Sequence, residues 1–533
     1  MGLRATDPPS IADSALKTKP ASFLKSPEFR AVAAFLPVII LVNSDGGVIL
    51  ANTIPIIADL DANFFAIGAL VATNYVTAAA FTLVFGYLAD KYKRKWLLVF
   101  GGATWATSDL LAAFSPNLAF LFAVRITASM GAGAVTPVTF SLLSDLFGSE
   151  KRSNSFAWWG IATMVGGLVG GSLSLAFNQI DYEALDAMGL NNAEKLAYIQ
   201  ANYADFVPFW RYPVFLMGLL GITFTLVLLG LKEPKRAAKE RSLRDVLAES
   251  DVDYQHVYRI KRSDLKYIFT RKSNFFLIIN FFDTVFSGVL FANIVAWITI
   301  EMGFNLDFQF ESIYFWMMVV LFLIVGGIGF YGQFAFANWG DRKVREGDLA
   351  GRVKVAIFCG VFHVPFLVVG FLFNPSVGEG TFFGGAVHVG TAGFFALMVV
   401  MALFLALGFA GSNGIAPNWY SSLIDVNLPE HRGTMIATAS FLDAIGRAFG
   451  AWVGGVLVQH FTDTGRADNA FGLTLVWMTL VFGLLSTMLW IPIYHYCNKD
   501  FAEVDAILRK RAEEMRQLAE RGERGGKLGG ERD

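Results

Sequence analysis

Several ionisable residues lie inside long apolar stretches, where a charge is costly unless a partner or a ligand requires it. Asp45 stands near the middle of the first stretch and is followed by Gly46 and Gly47. An acid in this position exchanges protons if its surroundings become wet and dry in turn. A permanent salt bridge between two helices is the alternative explanation. A proton-carrying or substrate-binding role is our working hypothesis for Asp45.

Arginine keeps its proton in a protein, so a buried one needs an acid, backbone carbonyls or an anionic substrate group as its partner. Arg125 lies in the fourth apolar stretch, and Asp109 in the third is one candidate partner. Asp443 and Arg447 are four residues apart in the eleventh stretch and share one helix face. They form either a self-contained pair or two groups that face a central cavity opposite Asp45.

Other polar residues extend this set of candidates. Asn74, Asp283 and Asn413 lie in the second, seventh and tenth stretches and are candidate substrate contacts. His363 in the ninth stretch is interpreted as a packed core histidine rather than a ligand. The two cysteines are far apart in apolar surroundings and indicate neither a disulfide framework nor a metal site.

The elements that position these residues are membrane-spanning helices. Of the 533 residues, 55% are hydrophobic and 16% are charged, whereas soluble domains average about 25% charged residues. A spanning helix needs about 20 apolar residues. Twelve runs are long enough: residues 31–57, 66–89, 96–114, 118–143, 155–178, 208–231, 275–300, 311–337, 354–373, 393–421, 434–459 and 471–497.

The cations between these runs are distributed unequally. Alternate loops on one side hold 24 lysines and arginines, and the loops and helix ends on the other side hold three. Cytoplasmic loops carry the excess of positive charge, so this asymmetry predicts that both termini are cytoplasmic. The first thirty residues are polar and show no removable signal peptide.

A charged segment without a spanning run divides the chain into two halves of six helices. The predicted organisation is an N-terminal cytoplasmic segment at 1–30, a first bundle at 31–231, a linker at 232–274 with one or two surface helices, a second bundle at 275–497 and a tail at 498–533. Gly166–Gly171 and Gly450–Gly455 lie at matching positions in the halves and are a weak internal repeat.

Two segments outside the spanning runs have helical patterns of their own. The long outer loop between the fifth and sixth runs is expected to contain a short helix around residues 193–203. The tail alternates apolar and charged residues with helical spacing, which predicts an amphipathic helix lying on the inner leaflet. The Gly/Arg/Glu-rich end beyond it is expected to be disordered.

Three motifs resemble those of the major facilitator superfamily. Gly86–Lys95, read Gly-Tyr-Leu-Ala-Asp-Lys-Tyr-Lys-Arg-Lys, is similar to the family's signature loop G-x-L-a-D-r-x-G-R-K. The run from Arg125 to Pro137 resembles the fourth-helix motif, and Trp210–Phe215 resembles the opening of the sixth helix. Asn338–Arg342 after the eighth run is a degraded echo of the signature loop.

Within that superfamily the chain resembles Spinster-like lipid transporters. The resemblance covers most of the first half and includes Asn43-Ser44-Asp45 and Ser144-Asp145-Leu146-Phe147. It implies a lysophospholipid or a sphingoid lipid as substrate. The superfamily itself implies an all-α membrane protein of twelve transmembrane helices in two pseudo-symmetric six-helix bundles, which works by alternating access.

The resemblance, together with the positions above, assigns roles to individual residues. Proton coupling is expected at Asp45 and Asp443, and substrate binding at Arg125, Arg447, Asn413, Asp283 and Asn74. Gating is expected at Gly86, Asp90, Arg94, Asp145, Asp341 and Arg342. In the family the loop aspartate approaches the start of the eleventh helix, and the loop arginine pairs with an acid such as Asp145.

Other classes of function fit the sequence poorly. No G-x-x-x-x-G-K-[ST] motif is present for a nucleotide-driven pump, and no H-E-x-x-H motif or nucleophile–base set indicates an enzyme. We therefore expect no catalytic residue, cofactor or metal, and no nucleic-acid partner. The expected partners are a small-molecule or lipid substrate, protons and membrane lipids, with a monomer in the plasma (bacterial inner) membrane. A non-transporting sensor on the same fold stays an open alternative.

Overall fold

The computed structural model describes residues 27–520 apart from 63, 179, 181–187, 189–191, 238, 241–242, 244, 247–253, 304–312 and 378. The predicted N-terminal segment before residue 27 and the predicted disordered end after residue 520 lie outside the described residues. Twelve helical spans account for most of the rest, and they correspond one to one with the twelve apolar runs of the sequence.

The first six spans have the following bounds. Span 1 is Pro27–Ala51, span 2 is Phe64–Lys91, span 3 is Arg94–Ala112, span 4 is Leu118–Ala132 followed by Val135–Leu146, span 5 is Arg152–Phe177 and span 6 is Arg211–Val227. A short helix, Thr53–Asp59, follows span 1. The helix Asn192–Asn202 lies in the long loop between spans 5 and 6, where the sequence predicts it.

The second six spans mirror this arrangement. Span 7 is Lys272–Ile279 followed by Phe282–Ala296, span 8 is Ile313–Arg345, span 9 is Gly351–Leu372, span 10 is Thr391–Asp425, span 11 is Arg432–Asp463 and span 12 is Ala470–Met478 followed by Leu484–Glu520. Between spans 9 and 10 a two-stranded antiparallel hairpin pairs Thr381–Phe382 with Val387–His388. The helices Tyr254–Val257 and Arg262–Thr270 lie in the linker between the halves.

Length and apolarity alone identify eleven of these spans among the described residues as long enough to cross a membrane. The twelfth is span 3, a helix of 19 residues that carries Arg94, Lys95 and Asp109 and is therefore less apolar on average. Its neighbours in space are spans 4 and 6. The all-α, twelve-helix prediction is confirmed.

Spans 4 and 7 are interrupted near their middle, whereas a π-helical segment, Thr479–Gly483, joins the two parts of span 12. Span 4 breaks at Gly133–Ala134, four residues before Pro137, because a proline has no N–H to bond the carbonyl one turn earlier. A Cβ at Gly133 would lie 2.8 Å from the Ala78 carbonyl oxygen, so only glycine lets span 2 approach here. Span 7 breaks at Asn280–Phe281 without a proline. Broken spans near the midplane often border the substrate site of a transporter.

The glycine repeat noted in the sequence is a pair of helix-packing surfaces. A Cβ at Gly170 of span 5 would lie 1.9 Å from the Ser44 carbonyl oxygen of span 1, and one at Gly450 of span 11 would lie 2.0 Å from the Val285 carbonyl oxygen of span 7. Small residues permit such close backbone contact between membrane helices. The repeat therefore performs the same packing role in both halves.

The apolar residues of the predicted amphipathic tail pack against the linker. Span 12 continues without a break to Glu520, and the apolar residues of its extension, Val504, Leu508 and Met515, are buried against Leu243 and Tyr254 of the linker. The linker supplies an apolar partner within the protein, so the tail does not need lipid to cover its apolar face.

The two ends of the molecule differ in what they carry. The linker end is the one at which the segment between spans 6 and 7 lies, together with the extension of span 12. The far end is the opposite one, and it carries the loop helix Asn192–Asn202 and the hairpin.

Candidate functional site

A charged cluster joins three spans of the first bundle. The Nη1 atom of Arg125 in span 4 donates to Asp45 of span 1 at 2.6 Å and to Asp109 of span 3 at 2.5 Å, and its Nη2 atom donates to the second oxygen of Asp45. The sequence leaves Asp45 and Asp109 as separate explanations for the charge of Arg125. The structure brings both acids to the same guanidinium.

The members of this cluster differ in their access to solvent. The side chains of Arg125 and Asp109 are 2% exposed, whereas that of Asp45 is 16% exposed. Asp45 precedes Gly46, at which an added Cβ would meet nothing within 4 Å. Asp45 is therefore the acid at the border of open space, and Asp109 is the acid sealed behind it. Two carboxylates share one guanidinium, so the cluster carries one net negative charge when both are ionised.

The second bundle holds its mid-span charges in a looser arrangement. Asp443 of span 11 is buried, and the Tyr420 hydroxyl of span 10 lies 3.4 Å from its Oδ2 atom. Asp283 of span 7 lies close enough to Asp443 for their charges to interact. Arg447 is exposed, and no acidic side chain among the described residues lies within 4 Å of it. Asp443 and Arg447 therefore form no salt bridge, although they are close enough for their charges to interact.

The face of span 11 that carries Arg447 points toward the first bundle. Near the linker end, Gly433 and Ala437 on this face pack against Gly86 of span 2. Further along the same helix, Arg447 and Ala451 are exposed. The two bundles therefore touch near the linker end and separate toward the far end.

Aromatic residues close the space between the bundles nearer to the linker end than Arg447. The rings of Phe140 in span 4 and Tyr420 in span 10 lie 4.2 Å apart, centroid to centroid, and Trp159 of span 5 lies 4.6 Å from Phe140. Trp158 meets Phe334 of span 8 at 4.8 Å. Because the bundles separate beyond this layer, we infer an opening that faces the far end and has the layer as its floor. Tyr420 links the floor to Asp443.

The remaining candidates lie on the spans that the sequence predicts. Asn74 is half-buried with its Oδ1 atom unpaired, and Asn413 is half-buried beside Gly329 of span 8. His363 is buried and forms a hydrogen bond with the Cys359 carbonyl oxygen at 3.0 Å, which fits a packed core histidine. Of these candidates, Asp283 is the one that lies beside another charged residue.

The signature loop meets the second bundle at the linker end. Asp90 accepts hydrogen bonds from the backbone N–H groups of Gly433 at 2.8 Å and Thr434 at 2.6 Å, at the start of span 11. A helix N-terminus presents free N–H groups and attracts an anion. Gly86 permits the approach, because a Cβ there would lie 2.2 Å from that of Ala437.

Asn338–Arg342, which partly matches the signature loop, makes the equivalent contact from the second bundle to the first. Asp341, at the end of span 8, accepts from the backbone N–H groups of Ser153 at 3.1 Å and Asn154 at 3.0 Å, at the start of span 5. Each bundle thus extends one aspartate onto a helix N-terminus of the other.

An arginine and a second acid complete each of these junctions. Arg94 pairs with Asp145 at the end of span 4, as the resemblance implies. In the second bundle the matching arginine is Arg352, at the start of span 9, which bonds Asp341 at 2.7 Å and also pairs with Asp425 at the end of span 10. The sequence predicts Arg342 in this position, and that prediction is wrong.

Arg342 points to solvent and is 72% exposed, and it pairs with Glu346 one turn away on the same helix. Its position directly after Asp341 resembles the signature loop, but the helix of span 8 continues through this segment to Arg345, so Arg342 lies on the outer side of that helix. The signal that identifies Arg352 is its place at the start of span 9, which matches the place of Arg94 at the start of span 3.

The motif at the start of span 6 ties together the far end of the first bundle. Arg211 donates to Asp59 at 2.7 Å, and the indole N–H of Trp210 donates to the same oxygen at 2.7 Å. Arg211 also donates to the Ala113 carbonyl oxygen at 3.0 Å. These contacts all join residues of the first bundle.

Known proteins match this chain in sequence and in fold. Residues 35–403 match the Major Facilitator Superfamily. Protein spinster of Drosophila melanogaster is 26% identical over 159 residues, which are 30% of this chain and 22% of that protein. Protein spinster homolog 1 of Xenopus laevis is 32% identical over 100 residues, 18% of this chain and 19% of that protein. The chain thus aligns with about a fifth of the length of each.

A solved structure shares the fold at low sequence identity. The fucose:proton symporter FucP of E. coli superposes with a TM-score of 0.57 and 13% identity, over 89% of this chain and 99% of that chain. This likeness concerns the arrangement of helices alone. The resemblance to Spinster-like proteins stated from the sequence is confirmed over the matched segments.

Proposed function

Because the chain belongs to the Major Facilitator Superfamily and is therefore a multi-pass membrane transporter rather than an enzyme, we propose that it moves an amphipathic, lipid-like solute by proton-coupled alternating access. The two bundles rock about a central site between Asp45 and Arg125 on one side and Asp443 and Arg447 on the other. The excess of cations at the linker end supports a cytoplasmic location for this end. The structure then corresponds to the outward-facing state of a monomer in the plasma membrane, closed at its cytoplasmic end.

The cluster of Asp45, Arg125 and Asp109 is the observation that carries the proton-coupling proposal. One guanidinium balances one carboxylate, so a single proton taken up by the cluster makes it neutral. Asp45 borders the opening and is the acid that protons and water reach, whereas Asp109 is sealed. A net charge on the cluster is costly when the site is closed and dry. The conformational change is therefore easier when the cluster is protonated. That preference couples proton movement to rocking of the bundles.

The proposed substrate class follows from the lining of the opening. Aromatic rings supply an apolar floor for a hydrocarbon chain. Arg447 offers an exposed cation for a phosphate or carboxylate headgroup, and Asp443 and Asp283 offer carboxyl groups for an amine. A lysophospholipid or a sphingoid lipid, which the Spinster resemblance implies, combines an apolar chain with such a headgroup. A small organic anion or a drug is the alternative substrate.

The gating residues act at the linker end in this proposal. Asp90 and Asp341 hold the two helix N-termini, and Arg94 with Asp145 and Arg352 with Asp425 support them. Inward opening then requires these contacts to break together.

Replacement of Asp45 by asparagine tests the coupling. Proteoliposomes with an imposed pH gradient should accumulate substrate at least tenfold more slowly with Asp45→Asn, because the cluster no longer gains or loses a proton at this position. Exchange of labelled for unlabelled substrate without a gradient should continue. Asp59→Asn is the matched control: it removes an acid that pairs with Arg211 at the far end of the same bundle, outside the central site.

Unchanged gradient-driven uptake by Asp45→Asn would remove Asp45 from the mechanism. The substrate class is tested by a thermal-shift screen of the purified protein with lysophospholipids, sphingoid bases, drugs and small carboxylates. A ligand at 100 times its dissociation constant stabilises the folded protein by about 2.7 kcal/mol. Binding without substrate flux in proteoliposomes would support the sensor alternative instead.

A further inference from the structure

Glu240 of the linker lies between two arginines that belong to different bundles. Its Oε1 atom accepts a hydrogen bond from Arg152 of span 5 at 2.7 Å and from Arg432 of span 11 at 2.7 Å. Both guanidinium groups are at most 2% exposed, and the Glu240 side chain is 11% exposed. A single carboxylate therefore bridges the bundles.

The two arginines occupy equivalent places in the two halves. Each is the first residue of a span that receives an aspartate from the opposite bundle, Arg152 in span 5 and Arg432 in span 11. The two arginines differ in how closely an aspartate of the other bundle approaches them. Arg152 pairs with Asp425, whereas Arg432 lies 3.7 Å from Asp145. Glu240 belongs to the linker and to neither half, so it adds to the junction a carboxylate that the repeat itself does not supply.

The environment of Glu240 keeps it ionised. Burial raises the pKa of its carboxyl, but the charges of Arg432 and Arg152 outweigh this effect and lower the pKa to about 2. The carboxylate therefore persists at any physiological pH. Removal of its charge would leave two buried guanidinium groups with fewer acids between them, which is costly in a low-dielectric interior.

The linker segment before Glu240 is inserted into the same junction. Arg236 is buried, donates to the carbonyl oxygens of Ala89 at 2.6 Å and Pro429 at 3.2 Å, and lies 3.4 Å from Asp90. The backbone N–H of Ala237 donates to Asp145 at 3.0 Å. The linker thus contacts the acids Asp90 and Asp145 at the linker end as well as the arginines Arg152 and Arg432. Both bundles are involved.

The tail helix holds the linker from the other side. Tyr254 of the linker donates to Glu430, in the turn before span 11, at 2.9 Å, and Arg511 of the tail donates to the same carboxylate at 2.7 Å. Apolar side chains of the linker, including Leu243, are buried against Leu508 and its neighbours on the tail. Motion of the linker away from the junction therefore breaks contacts with the tail too.

We propose that the linker segment around Glu240, which we call the wedge, holds the linker end of the transporter closed until linker and tail are displaced together. Glu240 is its positioning residue. The Gly86–Asp90 junction alone does not set the strength of closure. The inference rests on alternating access but not on any substrate or coupling ion. Its test is therefore a measurement of conformation in the absence of both.

The experiment measures the distance between the bundles at the linker end. Spin labels at Lys93→Cys and Lys354→Cys, both exposed positions outside the wedge, report the separation of spans 3 and 9 in the purified full chain. The wild-type background should show a dominant short-distance population and a long-distance fraction of a few per cent. Glu240→Gln should increase the long-distance fraction about tenfold, and Glu240→Asp, which keeps the charge, should restore most of the short-distance population.

Two further variants complete the test. Arg511→Ala, which weakens the tail side of the wedge, should shift the distances in the same direction by a smaller amount. Glu346→Gln is the control, because it removes an exposed acid at the linker end that pairs with Arg342 and Lys343 of its own span, and it should leave the distances unchanged. A Glu240→Gln protein with the wild-type distribution would overturn the proposal, whatever the transport assays show. If Glu240→Gln does not fold, an unshifted Arg511→Ala overturns it instead.

Discussion

The two halves of the molecule agree at their linker ends and differ at mid-membrane. At the linker end, Asp90, Arg94 and Asp145 of the first half match Asp341, Arg352 and Asp425 of the second in place. Each first aspartate accepts from a helix N-terminus of the other bundle, and each arginine pairs with the second aspartate; Arg352 also bonds Asp341, whereas Arg94 does not bond Asp90. At mid-membrane the first half buries its arginine between two acids, whereas the second half exposes its arginine, with no acidic side chain within 4 Å among the described residues.

This contrast separates mechanical from chemical roles. Closure of one end needs an equivalent contact on both sides of the axis that relates the halves. The repeat is therefore preserved in these contacts even where the residue types differ. A transport site needs two different surfaces, one for a proton and one for a headgroup, so the duplicated halves have diverged there. Three experiments with substituted proteins would break or sharpen the comparison.

The largest effect is expected from Arg125→Ala. It leaves two carboxylates of the first bundle without their cation, and loss of one partner of a buried ion pair costs about 3–5 kcal/mol. Thermal unfolding in detergent should show a large fall in stability or no folded protein.

Arg447→Ala is the matched substitution in the second bundle. It removes an exposed arginine without an acidic partner within 4 Å among the described residues, so its unfolding should stay within about 0.5 kcal/mol of wild type. Equal losses of stability in the two variants would contradict the distinction between a paired and an open cluster.

The next effect compares the two linker-end junctions. Asp90→Ala and Asp341→Ala each remove two hydrogen bonds from backbone N–H groups to a carboxylate, and bonds to charged groups contribute about 1.5–3 kcal/mol each. Both variants should increase the accessibility of cysteines introduced in the opening from the linker end, to a similar degree. The asparagine variants, which keep an acceptor, should have smaller effects. A shift in only one variant would show that the halves are not mechanical equivalents.

The smallest effect on the fold, and a specific one on transport, is expected from Arg447→Gln. The side chain keeps hydrogen-bonding capacity but loses its charge, so an anionic substrate should bind about tenfold more weakly while maximal transport is less affected. Uptake of an anionic lipid and of an uncharged analogue of the same chain length would be compared in proteoliposomes. Equal losses for both would remove Arg447 as a headgroup contact.

The sequence predicts those contacts that a local motif indicates. Asp90 lies in a loop motif complete enough to indicate its partner, and Asp145 follows by the same resemblance. Sequence reasoning failed for Arg342, because in the second half the adjacent arginine lies on the solvent side of a continuing helix and Arg352 from the next span takes its place. It also missed Glu240, which no spacing distinguishes from the other acids of a charged linker.

The sequence by itself determined the number of spans, the side on which cations collect and the residues that bring charge into the membrane, because length and hydropathy along the chain are sufficient for these. Only the tertiary structure decided which charges meet. Arg125 could pair with either acid, and Asp443 with Arg447, because partners far apart in the chain are selected by how helices pack. The same packing joined the linker and tail to the junction, since their apolar faces could be covered by lipid or by each other.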